Sequence, residues 1–211
     1  MGHTIQRPPV KLFIAIPCIL LAALLNALMG ASVKASSAHV STEMIVLWRN
    51  LVSLVLLFPW ICFSSPEKPL HEKLMTRQWG MQLIRSLSGL VSVFLYFYSL
   101  RYLSLSDATL LFNTMPIFVP ITAYLWKKHP IPHRLWWGIG LAFAGVAFVI
   151  GPSTQVFQLA SLLAIGSGMA GSVATFALRL AHYTEPSSRT LFYYFFISTI
   201  VTAVASLFQI E

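Results

Sequence analysis

Seven long apolar runs, separated by short polar stretches, organise this chain. They lie at about 12–33, 45–63, 80–100, 104–126, 134–151, 156–179 and 190–209. A helix crossing a bilayer needs about 20 apolar residues, so each run is a candidate membrane span. The longest polar connection is 64–79, SSPEKPLHEKLMTRQW. The other links are short, and several carry Pro or Gly, as in Lys127 to Pro132 and Gly151-Pro152. Short turns make neighbouring spans antiparallel. The pattern predicts an all-α multi-span membrane bundle of about seven spans.

The polar positions inside the runs are not scattered. In the third run Arg85, Ser88, Ser92, Tyr96 and Ser99 follow at steps of 3, 4, 4 and 3, which places them on one helix face. The fourth run holds Asp107, Thr109, Asn113, Thr114, Pro116 and Pro120. Hydrocarbon cannot hydrogen-bond such groups, so they are expected to face protein or a water-filled cavity. Met81 to Pro120, which contains both sets, is the stretch around which the rest is expected to be arranged.

Composition agrees with a membrane protein. The chain is 57% hydrophobic and 9% charged, against roughly a quarter charged in soluble domains. The net charge of +8 does not point to nucleic acid, because the basic residues lie between apolar runs. They report topology instead. Ten Lys and Arg fall in the N-terminal segment and the second, fourth and sixth loops, against only Lys34 and Arg101 on the other side. That asymmetry places the N-terminus in the cytoplasm, with Trp79, Trp136 and Trp137 at span ends on the same side. The first apolar run, about 20 residues long, exceeds the roughly 7–15 of a signal peptide and is expected to remain as a span. Multi-pass insertion in the inner, cytoplasmic membrane is the expected location.

Chemistry-bearing motifs are sparse. Cys18 and Cys62 lie within apolar runs and read as small buried hydrophobes. The histidines form no metal spacing, and no Gly-rich phosphate loop is present, so neither a metal nor another cofactor is expected. Without a Ser-His-Asp or paired-carboxylate arrangement, an enzyme is not the expected class. One weak internal repeat relates Met29-Gly30-Ala31-Ser32-Val33 to Met169-Ala170-Gly171-Ser172-Val173. Five spans separate the two copies, an odd number, so a second unit starting at the sixth span would insert inverted.

The ordered set YSLRYLSLSDATLLFNTMPIFVPITAYLW followed by LWWGIGLAFAGVAFVIGPS resembles the first repeat of the EamA family of the drug/metabolite transporter superfamily. Its carriers are the Tyr98 to Leu103 turn, Asp107-Ala108-Thr109, Pro116, and the Gly140 to Gly151 stretch with Gly145-Val146. Glu43 to Asn50, ending in Trp48-Arg49-Asn50, is similar to the start of the family's second span. The resemblance covers about 12–150 as a first five-span repeat, and 156–209 as the start of a second, incomplete one. It implies a relation to a ten-span inverted-repeat (5+5) transporter, a permease moving a small metabolite across the inner membrane by alternating access. The local wording is also similar to the S-adenosylmethionine uptake carriers. Two departures stand out. The last three spans are absent, and Trp126-Lys127-Lys128-His129 stands where the family often has an acidic residue.

Five residues are expected to line a substrate cavity: Asn26, Arg49, Arg85, Tyr96 and Asn113. Arg85 would hold an anionic group, Tyr96 would stack or hydrogen-bond, and Asn113 would position a polar group beside a helix bent by Pro116. Arg49 has snorkelling to the headgroups, or a pair with Glu43, as its alternative. Asp107, after Ser104 and Ser106, reads as the first turn of a capped helix. The apolar run ends abruptly at Glu211, which suggests a truncated or split transporter. The alternatives to a working carrier are therefore an inactive or split remnant, or a homodimer or partner chain completing the bundle. An integral-membrane structural protein or enzyme is the remaining class.

Overall fold

A computed structural model describes residues 12–37, 39–63, 75–76, 78–127, 136–141, 144–145, 159–183 and 185–207. Seven helices are defined among them: α1 (Leu12–Ser36), α2 (Thr42–Phe63), α3 (Trp79–Tyr102), α4 (Leu105–Phe112), α5 (Met115–Lys127), α6 (Leu159–Ala181) and α7 (Ser187–Leu207). No strand occurs among the described residues. Among the described residues six stretches are long and apolar enough to cross a bilayer, α4 and α5 together forming one of them. The protein is an all-α, multi-span membrane protein. The expected fifth span, 134–151, lies outside the described residues except for 136–141 and 144–145, which are helical.

The centre of the bundle is α3. Its most extensive neighbour is α6, and it also touches α1, α2, α4 and α7. Half of the α6 span and 44% of the α3 span are buried, against 11% for α1 and 17% for α2. The apolar core gathers Leu90, Phe97 and Leu100 of α3 with Val33, Val46, Ala108, Leu111, Ala160 and Ala164.

Lipid tails are as apolar as leucine, so burial from water does not drive these helices together. Close contact and hydrogen bonds must do so. The α6 sequence supplies small residues for this purpose, and Ala160, Ala164, Gly168 and Ser172 are all buried. Ser92 donates to the Ser167 carbonyl at 2.7 Å, and the Thr122 and Ser172 hydroxyls meet at 2.8 Å. A Cβ on Gly171 would lie 2.9 Å from Met115 Sδ and 3.0 Å from Ser92 Oγ.

The fourth span is not one bent helix. It breaks at Asn113-Thr114 into α4 and α5. Pro116 has no N–H to give the Phe112 carbonyl four residues back, which removes the bond that would carry the helix through. Thr114 secures the break by donating its hydroxyl to Leu111 O at 2.7 Å, and Ile117 N–H restarts the ladder on Thr114 O at 2.9 Å. Gly168 of α6 faces this point: a Cβ there would sit 3.0 Å from Thr114 Oγ1 and 3.2 Å from the Phe112 carbonyl oxygen.

The helix ends are tied by polar side chains. Ser104 caps α4 by accepting from Asp107 N–H at 3.1 Å, while its hydroxyl donates to Asp107 Oδ2 at 2.7 Å. Asp107 therefore has the capping geometry read from its spacing. Lys34 Nζ donates to the carbonyls of Leu100 and Leu103 at the C-terminal end of α3, the Leu103 contact at 2.9 Å. A cation there matches the negative end of the helix dipole. One expectation is corrected: Cys18 is exposed, because α1 turns most of its length outward, and Cys62 is only partly buried.

Gly168→Ala is expected to destabilise the bundle by about 1–3 kcal/mol, since its methyl meets backbone that cannot swing aside. Gly166→Ala, whose methyl would only touch Leu95 Cδ1 at 3.6 Å, should be tolerated. Thermal unfolding of the two purified variants in detergent checks the contrast, and an equal response would contradict it.

Candidate functional site

Four of the five cavity candidates come together. Asn26, Arg49, Tyr96 and Asn113 line one cavity of about 750 Å³, formed by α1, α2, α3 and α4. Ligand sites for drug-sized molecules run from about 300 to 1,000 Å³. Each side chain arrives by a local rule. Asn26 and Gly30 are one turn apart on α1. Arg49 is seven residues into α2, about 10 Å along the axis at 1.5 Å per residue. Asn113 is the C-cap of α4, the first residue of the helix break, so its side chain sits where backbone geometry changes direction.

Tyr96 joins the cavity wall to α4. Its hydroxyl meets Thr109 Oγ1 at 3.0 Å, and its ring lies 4.9 Å from that of Phe112 at a tilt of 38°. Gly30 lets α1 approach this region, since a Cβ there would stand 3.2 Å from Leu105 Cδ1 and 3.5 Å from Tyr96 OH. Asn26 spends its amide N–H on Ala22 O at 2.9 Å. Asn113 is exposed to the cavity rather than buried in packing.

Arg49 does not snorkel along the helix surface. Its guanidinium carbon lies 5.9 Å from the centre of the Phe97 ring, and Nη1 is buried with no hydrogen-bond partner among the described residues. Glu43 does not pair with it. Arg49 is the only formally charged side chain among the described residues lining the cavity.

Arg85 lies elsewhere. Its guanidinium carbon sits 4.7 Å over the Tyr194 ring of α7, with Nε buried and unpartnered among the described residues. Gly89 makes room for this pair, for a Cβ there would be 2.8 Å from Arg85 Nη1 and 2.9 Å from Tyr194 Cε2. The stripe that starts at Arg85 thus divides. Arg85 faces α7, Ser92 binds α6, and Tyr96 reaches the cavity. Asn50 is 0% exposed, with neither amide atom partnered among the described residues, and nothing in the structure explains it.

Two features were not named as site candidates from the sequence. Ser106 and Thr109 also line the cavity. Their spacing from Asn113, seven and four residues, would have placed all three on one face. The second feature is a buried polar cluster joining the α6–α7 link to the start of α3. Glu185, 6% exposed, accepts from Gln82 Nε2 at 2.7 Å and from the Thr76 hydroxyl. Gln82 also reaches Thr190 Oγ1 at 3.4 Å. No local spacing could reveal contacts between residues so far apart in the chain.

Residues 13–151 match the model described as the EamA-like transporter family. Two curated relatives, each described as Pseudopaline exporter CntI and from two strains of Pseudomonas aeruginosa, are 26% identical over 194 residues. The alignment covers 86% of this chain and 62% of theirs. A Riboflavin transporter of Vibrio cholerae is 23% identical over 150 residues, covering 70% of this chain and 49% of the relative. No solved structure matches the chain.

Glu185→Ala would leave the buried donors of Gln82 and Thr76 without their shared acceptor. The expected loss is about 2–6 kcal/mol, at roughly 1–3 for each of the two stranded groups. Denaturant unfolding of the purified chain measures it, and an unchanged midpoint would mean that the cluster does not hold α7 to α3.

Proposed function

The chain belongs to the EamA-like transporter family, and from that premise we propose that it acts as a secondary carrier of a small metabolite. The observation behind this reading is the cavity at the break in the fourth span. It combines amides, hydroxyls and a guanidinium within segments long and apolar enough to cross a bilayer. Polar groups at membrane depth are expensive unless a function or a partner retains them. The relatives' names point the same way, one an exporter and one a transporter of a small molecule.

In this reading the substrate is held by Asn26, Arg49, Tyr96 and Asn113. Arg85, the fifth candidate, acts through the α3–α7 contact and not on substrate. The cavity opens alternately to the two faces of the inner membrane as two inverted repeats rock, the first spanning 12–150 and the second beginning at 156. The N-terminus lies on the cytoplasmic side, as the Lys and Arg asymmetry favours. The chain spans about 62% of the length of the Pseudopaline exporters. A second reading is that the transport path includes a second copy or a partner chain, or that this chain alone is an inactive remnant.

Flux of a labelled metabolite panel, S-adenosylmethionine and riboflavin included, in cells making the chain tests the reading. Asn26→Leu and Asn113→Leu should each lower the flux at least tenfold with insertion intact. Leu24→Phe, on the exposed face of α1, should leave it unchanged. Equal effects at all three positions would place the path elsewhere. Flux that appears only on co-expression of further helices would favour the second reading.

A further inference from the structure

We propose that the cavity selects a small organic anion, with an acidic group against Arg49 and an apolar or aromatic body against Tyr96 and Phe112. The inference rests on the carrier reading and names its substrate class. Three observations support it.

The first is the state of Arg49. Its Nη1 is buried and bonded to nothing among the described residues, and no carboxylate neutralises it there. A buried donor without an acceptor bears a desolvation cost that an entering acceptor relieves. The planar guanidinium fork suits a carboxylate bound through two parallel bonds.

The second is what the lining omits. Among the described residues around the cavity no Asp or Glu occurs. A cationic ligand would lose its hydration and gain no counter-charge, while meeting the repulsion of Arg49. S-adenosylmethionine, whose sulfonium is a fixed cation, fits this surface poorly.

The third is the placement of aromatic area. The Tyr96 and Phe112 rings, 4.9 Å apart, form a step beside the polar groups. Phe97 lies 5.9 Å from the Arg49 guanidinium carbon and adds apolar area beside the charge. The charge and the apolar surface thus lie side by side, as an amphipathic acid requires.

Three probes of one shape and different charge test this: labelled 3-phenylpropanoate, 3-phenylpropanamide and 3-phenylpropylamine. Their flux is measured in proteoliposomes holding the full chain. Saturable flux should fall in the order anion, amide, amine, with the anion at least tenfold above the amine. Arg49→Gln should lower the anion flux about tenfold or more and leave the amide within twofold, while Arg49→Lys keeps the anion preference. If Arg49→Gln fails to insert, the order of the probes on the unaltered chain decides the matter. Saturable flux with no preference for the anion overturns the anion assignment and leaves the carrier reading standing. An absence of saturable flux for all three probes overturns both.

Discussion

The structure depends on how closely α6 can approach α3 and the broken fourth span. In lipid the helices gain little from hiding apolar surface, so a gap of even one methyl group at this contact loosens the centre of the bundle. Gly168 and Gly171 supply the approach, and the hydroxyls of Ser92, Thr122 and Ser172 use it for hydrogen bonds. α6 approaches the Asn113-Thr114 break through Gly168, while Thr109 and Asn113 of the same span line the cavity together with α1, α2 and α3.

This arrangement separates two kinds of polar residue that look alike along the chain. Ser92, Thr114 and Ser172 are buried in helix contacts and complete hydrogen bonds within the protein. Asn26, Asn113 and Arg49 border open volume. The first kind satisfies the demand that membrane-embedded polar groups find partners. The second kind leaves that demand partly unmet, and partners must come from water or from a bound solute. Arg85 of α3 and Arg49 of α2 differ in their surroundings, though each keeps a buried nitrogen without a partner among the described residues. Arg85 is enclosed between Gly89 and Tyr194, whereas Arg49 stands at the cavity wall.

Much of the fold was legible because period and length suffice to read it. The apolar runs located α1, α2, α3, α6 and α7 to within a few residues, and Pro116 marked the place where the fourth span breaks. Ala160, Ala164, Gly168 and Ser172, four residues apart, prove to share the packing face of α6. Spacing also grouped Tyr96 with a polar face and showed Asn113 beside a weakened helix. It could not separate Arg85 from Tyr96, since both lie on one stripe of α3. Which neighbour each meets is decided by α7 and α4, elements remote in the chain. The Glu185 cluster was hidden for the same reason, as was the exposure of Cys18 on a helix that has few neighbours.

Transport by this chain requires that water reach the cavity from the aqueous phase at Asn113. In a chain with Cys18 and Cys62 replaced by Ala, single cysteines at Asn113 and Leu24 can be treated with the membrane-impermeant anion 2-sulfonatoethyl methanethiosulfonate. Rapid labelling of Asn113→Cys is expected, and none of Leu24→Cys, which faces outward from α1. An Asn113→Cys as inert as Leu24→Cys from both sides of the membrane would contradict transport through this cavity, because the polar wall would then be sealed packing and not a path.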